Sequence, residues 1–169
     1  MIIRYATEKL LGSLPLILLY ILCFTELNFE SLFYVQFFSF NLNAMLVYFW
    51  VLKSPQTFGS GHIFFANLIN DVVLGLPLGT SPLTYLTLAF VATYIKSATI
   101  NPKLTTEWIA FIPAIFFSYM VNLFIIMKFS DLTIVYNDVL RNSFFTFLFF
   151  PIFYYFFNIY LLTLQRKDA

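Results

Sequence analysis

One acid set among amides inside an apolar run is where residue type and spacing in this chain suggest chemistry. In the stretch 61–95, GHIFFANLINDVVLGLPLGTSPLTYLTLAFVATYI, a helix through the first arm puts Asn67, Asn70 and Asp71 at i, i+3 and i+4. Phe65, Leu68, Ile69 and Val72 then face elsewhere, so the polar stripe has to look inward. An ionisable group central in an apolar span costs about 2.5–3.5 kcal/mol to insert, and it therefore faces protein or trapped water and takes a partner. Asp71 stands in the last turn of its arm, where the cost is lower. Two roles are open to it: a turn lock or interhelical hydrogen bond, or a proton relay or ligand contact. Asn67 and Asn70 suit interhelical bonds, with contact to a solute as the alternative. A lone carboxylate with no His, Lys or second acid nearby in sequence is thin support for acid–base catalysis.

The residues that must position this stripe follow at once. Gly75-Leu76-Pro77-Leu78-Gly79-Thr80-Ser81-Pro82 holds two glycines that permit positive φ and a proline, Pro77, that prevents simple continuation of the helix. Ser81 reads as an N-cap with Pro82 at the first helical position, which opens a second arm. The unpaired N–H groups and positive dipole end of that arm then lie near Asp71. The expectation is that the Asp71 carboxylate bonds the amides of residues 79–82 and locks the turn. Ser81, Thr84 and Thr87, three apart, suit close approach of the second arm to the first.

Outside this hairpin the chain offers little reactive chemistry. Cys23 is the single cysteine and His62 the single histidine, which leaves no internal disulfide and no zinc or haem constellation. His62 reads as a surface residue. There is no Gly-rich phosphate loop, nucleophile elbow, HExxH helix or paired carboxylate. The reading is therefore of no catalytic residue, no metal and no cofactor.

Composition sets the medium. With 61% hydrophobic residues, 10% charged residues and a mean hydropathy of +0.86, 169 residues carry too little polar surface to cover a soluble globule. Backbone groups in lipid have to be satisfied internally, so long apolar runs mean helices rather than a barrel with alternating faces. The predicted fold is all-α, a polytopic helical bundle in one domain. Sparse, scattered Lys and Arg form no basic patch with interleaved aromatics, which excludes a nucleic-acid partner. The run after Arg4 and Lys9 lacks a small-x-small exit, and Leu22 before Cys23 is too large for lipoprotein cleavage. It reads as a retained span, not a removed leader.

Six spans are expected, at about 10–24, 31–52, 61–75, 81–96, 106–127 and 143–164. Asn41 and Asn43 interrupt the second, which then becomes a short irregular lead-in followed by a helix from about Asn41. The hairpin arms, at about 21–24 Å, fall short of the ~30 Å hydrocarbon thickness, so they thin the bilayer or are re-entrant. Thr105 or Thr106 caps the fifth helix, Glu107 lies in its first turn, Trp108 suits an interfacial belt, and Pro113 kinks it near Ile109. Residues 128–142 read as an exposed loop, and the acidic segment with Glu26 and Glu30 as solvated. The Phe-Tyr run at 144–157 reads as lipid-facing packing or a seam for a partner helix. Alternating sides place Arg4, Lys9, Lys53, Lys96, Lys103, Arg166 and Lys167 together, opposite only Lys128 and Arg141. Both termini are then cytoplasmic.

The segment from Tyr48 to Thr93 resembles the rod shape-determining MreD family. The likeness rests on the helix ending Tyr48-Phe49-Trp50, the Lys53-Ser54-Pro55 turn, and Asp71 leading through Gly75 to Pro77-Leu78-Gly79 before a fresh helix. Asn67 and Asn70 stand where members of that family commonly carry small or apolar residues. The resemblance implies a non-enzymatic scaffold in the bacterial inner membrane that binds the membrane-anchored periplasmic protein MreC. Through that assembly it would cooperate with MreB filaments, a SEDS transglycosylase and a penicillin-binding transpeptidase. The rival expectation is a six-span substrate-binding subunit of a small-solute or vitamin transporter, with the Asn67, Asn70 and Asp71 stripe holding the solute.

Overall fold

The computed structural model describes residues 2–25, 40–56, 58–99, 103–130 and 136–168. Every regular element among them is helical: α1 (Ile2–Phe24), α2 (Leu42–Lys53), α3 (Ser60–Leu74), α4 (Thr80–Ala98), α5 (Leu104–Phe129) and α6 (Tyr136–Asp168). The acidic segment with Glu26 and Glu30, the first part of the expected second span and Asp131 lie outside the described residues.

The shortest of these helices forms the centre. The α2 sequence LNAMLVYFWVLK is apolar on all sides, which is the pattern of a helix with no outward face. Every residue from Asn43 to Leu52 is buried, with α1, α4 and α6 packed around it. Its 12 residues extend about 18 Å, well under the ~30 Å of a hydrocarbon layer. Asn41 is its N-cap and accepts the Ala44 N–H at 2.9 Å. Around it the hairpin arms α3 and α4 pack on each other, and α5 lies against α4.

Aromatic rings tie α2 to the last two helices. The Tyr48 ring centroid is 4.5 Å from that of Phe111 on α5 and 5.5 Å from that of Phe150 on α6. Phe49 meets Tyr154 edge-on at 5.2 Å. Such pairs each add about 0.5–1.5 kcal/mol beyond the area they bury.

Two helices, Leu104–Phe129 and Tyr136–Leu164, are long and apolar enough to cross a membrane, and only 28% and 6% of their most apolar windows are buried within the chain. Phe116, Phe117, Phe124, Phe144, Ile152 and Phe156 on them are all more than half exposed. The core helix of a water-soluble protein covers such residues, so these faces are suited to an apolar medium or partner.

Several boundaries differ from the sequence reading. α1 extends back to Ile2, so Arg4 and Lys9 lie within the helix and not ahead of it. α5 starts at Leu104 with Lys103 as N-cap and no capping side chain; Thr105 and Thr106 are exposed residues of the first turn and cap nothing. Residues 136–142 are the first two turns of α6 and not an open loop. There Arg141 pairs with Asp138 at 2.7 Å, three residues apart, and Asn142 accepts the Tyr119 hydroxyl at 2.6 Å, so polar groups that read as loop serve as helix surface. Pro15, Pro113 and Pro151 all lie inside continuous helices.

Candidate functional site

The end of α3 is closed by backbone bonds that only a left-handed residue permits. Gly75 has φ 64°; its N–H bonds Val72 O at 3.4 Å, and Leu76 N–H bonds Asp71 O at 2.9 Å. This pair is a Schellman closure. After Pro77 the chain reaches Gly79, at φ 100°, which is the N-cap of α4.

The Asp71 side chain spans this corner. Its Oδ2 accepts the Gly79 N–H at 2.7 Å and its Oδ1 accepts the Ser81 N–H at 2.8 Å, and the residue is fully buried. One carboxylate from α3 therefore takes the place of the capping side chain that α4 lacks, with negative charge at the positive end of the α4 dipole. The contact expected between Asp71 and the residue 79–82 amides is present. The expected cap is not. Ser81 lies inside the helix, which begins at Thr80. A left-handed cap position admits Gly79 far more readily than serine, and the Asp71 oxygens already occupy the amides that a Ser81 cap would bond. Pro82, buried in the first turn, costs no hydrogen bond because N–H groups there have no intrahelical acceptor.

The polar stripe fans out across two neighbours. Asn70 Nδ2 donates to Ser81 Oγ at 3.1 Å, across the hairpin. Asn67, fully buried, donates to its own helix at Ile63 O at 2.8 Å, and its Oδ1 lies 3.8 Å from the Cys23 thiol on α1. That sulfur accepts from Asn43 Nδ2 on α2 at 3.2 Å, so Cys23, Asn43 and Asn67 join three helices inside the core. The three hydroxyl residues of α4 also separate. Ser81 meets α3, Thr84 receives the Asn122 amide of α5 at 3.2 Å, and Thr87 bonds only Leu83 O of its own helix at 2.8 Å. Of these three, Ser81 is the one hydrogen-bonded to the first arm. His62 is exposed at the start of α3.

Beside this corner a cavity of about 150 Å³ opens between the start of α2, the end of α3, the start of α4 and the second half of α5. Asn70, Ser81, Thr84, Tyr85, Tyr119 and Asn122 supply its polar wall, and Ala44, Leu74, Leu76 and Leu88 an apolar one. No Asp, Glu, Lys, Arg or His lines it. Asn41 at its floor connects the helices: it accepts the Tyr85 hydroxyl at 3.0 Å, and its own N–H donates to Thr146 Oγ1 of α6 at 2.8 Å.

At the opposite end of α2 lies a pair that sequence reasoning missed. Lys53 Nζ is 2.7 Å from Glu107 Oε1, with side chains only 18% and 5% exposed. The Tyr48 hydroxyl donates to the Glu107 carbonyl at 3.0 Å, and the Lys53 ammonium sits 5.4 Å from the Tyr154 ring centroid. Burial pulls the Lys53 ammonium toward deprotonation, but its bonds to Glu107 and Tyr154 and the charge of Glu107 outweigh that and hold it above the usual lysine range. The sequence signal was slight: a basic residue ending one helix and an acid in the first turn of another. Trp108 donates to Phe147 O at 2.9 Å and stacks on the Phe147 ring at 5.1 Å.

Among the described residues no three His, Cys, Asp or Glu side chains cluster as metal ligands. The chemistry on offer is a rigid corner and a neutral hydrogen-bonding wall. No protein-family model, no characterised relative and no solved structure matches this chain.

Proposed function

We propose that this chain is a non-enzymatic scaffold in the bacterial inner membrane, a part of the elongation machinery resembling the MreD family. It binds an MreC-like periplasmic protein and helps couple MreB filaments to lateral peptidoglycan synthesis by a SEDS transglycosylase and a penicillin-binding transpeptidase. The observation that carries the reading is the Asp71 carboxylate across the Pro77-Leu78-Gly79 corner, bonded to Gly79 and Ser81. That corner is the feature on which the resemblance stands, and it holds two helices in fixed relation as a platform requires. The outward apolar faces of α5 and α6 support membrane insertion. We read six crossings, and the distribution of basic residues over the alternating loops then favours cytoplasmic termini.

Depletion in a rod-shaped host tests the proposal. Cells should round, and crosslinking should recover an MreC-like partner; normal rods after loss overturn it. A second reading, the substrate-binding subunit of a small-solute or vitamin transporter, draws on the polar cavity. It expects a copurifying solute and lost uptake with unchanged cell shape.

A further inference from the structure

The cavity beside the Asp71 corner holds more hydrogen-bonding capacity than the protein itself uses. Asn70 and Asn122 each spend one N–H, on Ser81 Oγ and Thr84 Oγ1 respectively. Their carboxamide oxygens and second N–H groups have no partner among the described residues. Tyr85 and Tyr119 donate their hydroxyl protons to Asn41 and Asn142. Ser81 Oγ accepts from Asn70, and its proton is left to donate. The wall thus offers both donors and acceptors and carries no charge.

We propose that this cavity is a binding site for a small uncharged molecule that both donates and accepts hydrogen bonds, a polyol or a primary amide. An anion finds no cation among the lining residues. A cation finds no carboxylate among the lining residues, because both Asp71 oxygens are committed to backbone N–H groups. Water alone suits the polar lining but not the side chains of Ala44, Leu74, Leu76 and Leu88, beside which it forfeits hydrogen bonds. A carbon skeleton bearing hydroxyl or amide groups satisfies both walls. A volume of about 150 Å³ matches a cavity that admits benzene, which sets the buried part at roughly six to eight non-hydrogen atoms. This site is independent of whether the bundle assembles partners or delivers solutes.

The test uses the full chain in phosphatidylcholine nanodiscs, titrated with glycerol, erythritol, urea and acetamide beside glycerol phosphate and methylammonium. Saturation-transfer NMR and thermal unfolding report binding. The expected result is saturable binding of at least one neutral probe in the millimolar range, weakened about tenfold by Asn122→Leu, the equivalent of one lost hydrogen bond. Asn70→Leu removes the amide on the facing helix and guards against misfolding of the first variant. Repeating the titration in nanodiscs of glycerol-headed lipid separates two sources of the same chemistry: competition assigns the site to a lipid head group, and unchanged binding to a free solute. No saturable neutral probe, charged probes that bind as well as neutral ones, or indifference to both Asn substitutions overturns the proposal.

Discussion

Lys53 and Glu107, 54 residues apart in sequence, meet at 2.7 Å where the end of α2 packs against the first turn of α5. Glu107 Oε2 is buried there without a partner, so the carboxylate depends on this one cation. Removing a single member of a buried pair strands the other charge, at about 3–5 kcal/mol, whereas replacing both by apolar residues is often neutral. Lys53→Met should therefore lower stability sharply, and Lys53→Met with Glu107→Leu should restore most of it. Thermal unfolding of the single and double variants in detergent measures the coupling, and additive losses contradict it.

The same pair sets a pH dependence at the alkaline end. The folded-state pKa of Lys53 is raised above its ordinary 10.5, so its contribution is complete below that value and is lost as pH rises through the folded pKa. The difference in unfolding midpoint between the wild type and the Lys53→Met, Glu107→Leu double variant should be constant at neutral pH and shrink only beyond pH 10.5. A difference that shrinks between pH 6 and 9 argues against the assignment.

At the corner, Asp71→Asn keeps the shape and one oxygen but turns an N–H₂ toward a backbone N–H. One of the Gly79 and Ser81 amides loses its acceptor in a buried place, at about 1–3 kcal/mol. Hydrogen exchange at Gly79 and Ser81 should quicken in the variant while amides in α2 stay protected. Equal protection in both proteins removes the lock.

Gly75 and Gly79 differ from the other glycines in their positive φ, 64° and 100°. Open space surrounds both Cβ positions, so any penalty for alanine comes from backbone strain alone, roughly 1–2 kcal/mol. Gly75→Asn should be milder than Gly75→Ala, since asparagine tolerates the left-handed region. Gly61→Ala, in the first turn of α3 with nothing near its Cβ, should be neutral or slightly stabilising. Unfolding midpoints of the three alanine variants rank these effects.

Much of the local architecture was legible because it obeys short-range rules. Apolar runs marked the helices, Pro77 and the two glycines marked the corner, and the spacing of Asn70 and Asp71 pointed at the amides that follow them. Boundaries were less legible where polar residues serve helix surface, as at Asp138 and Arg141. The cap of α4 was misplaced because the group that fills it comes from another helix.

What the sequence alone determined is the helical character of the described residues, a strongly apolar composition and a sharp turn locked through an acid eight residues before Gly79. Periodicity, proline and glycine act within a few residues, and so they can be read from order alone. Tertiary packing decided that α2 is enclosed on every side, that Lys53 pairs with Glu107, and that Asn70 and Asn122 face one cavity from different helices. Those relationships depend on how helices rotate and pack against one another, and no residue's neighbours in sequence carry that information.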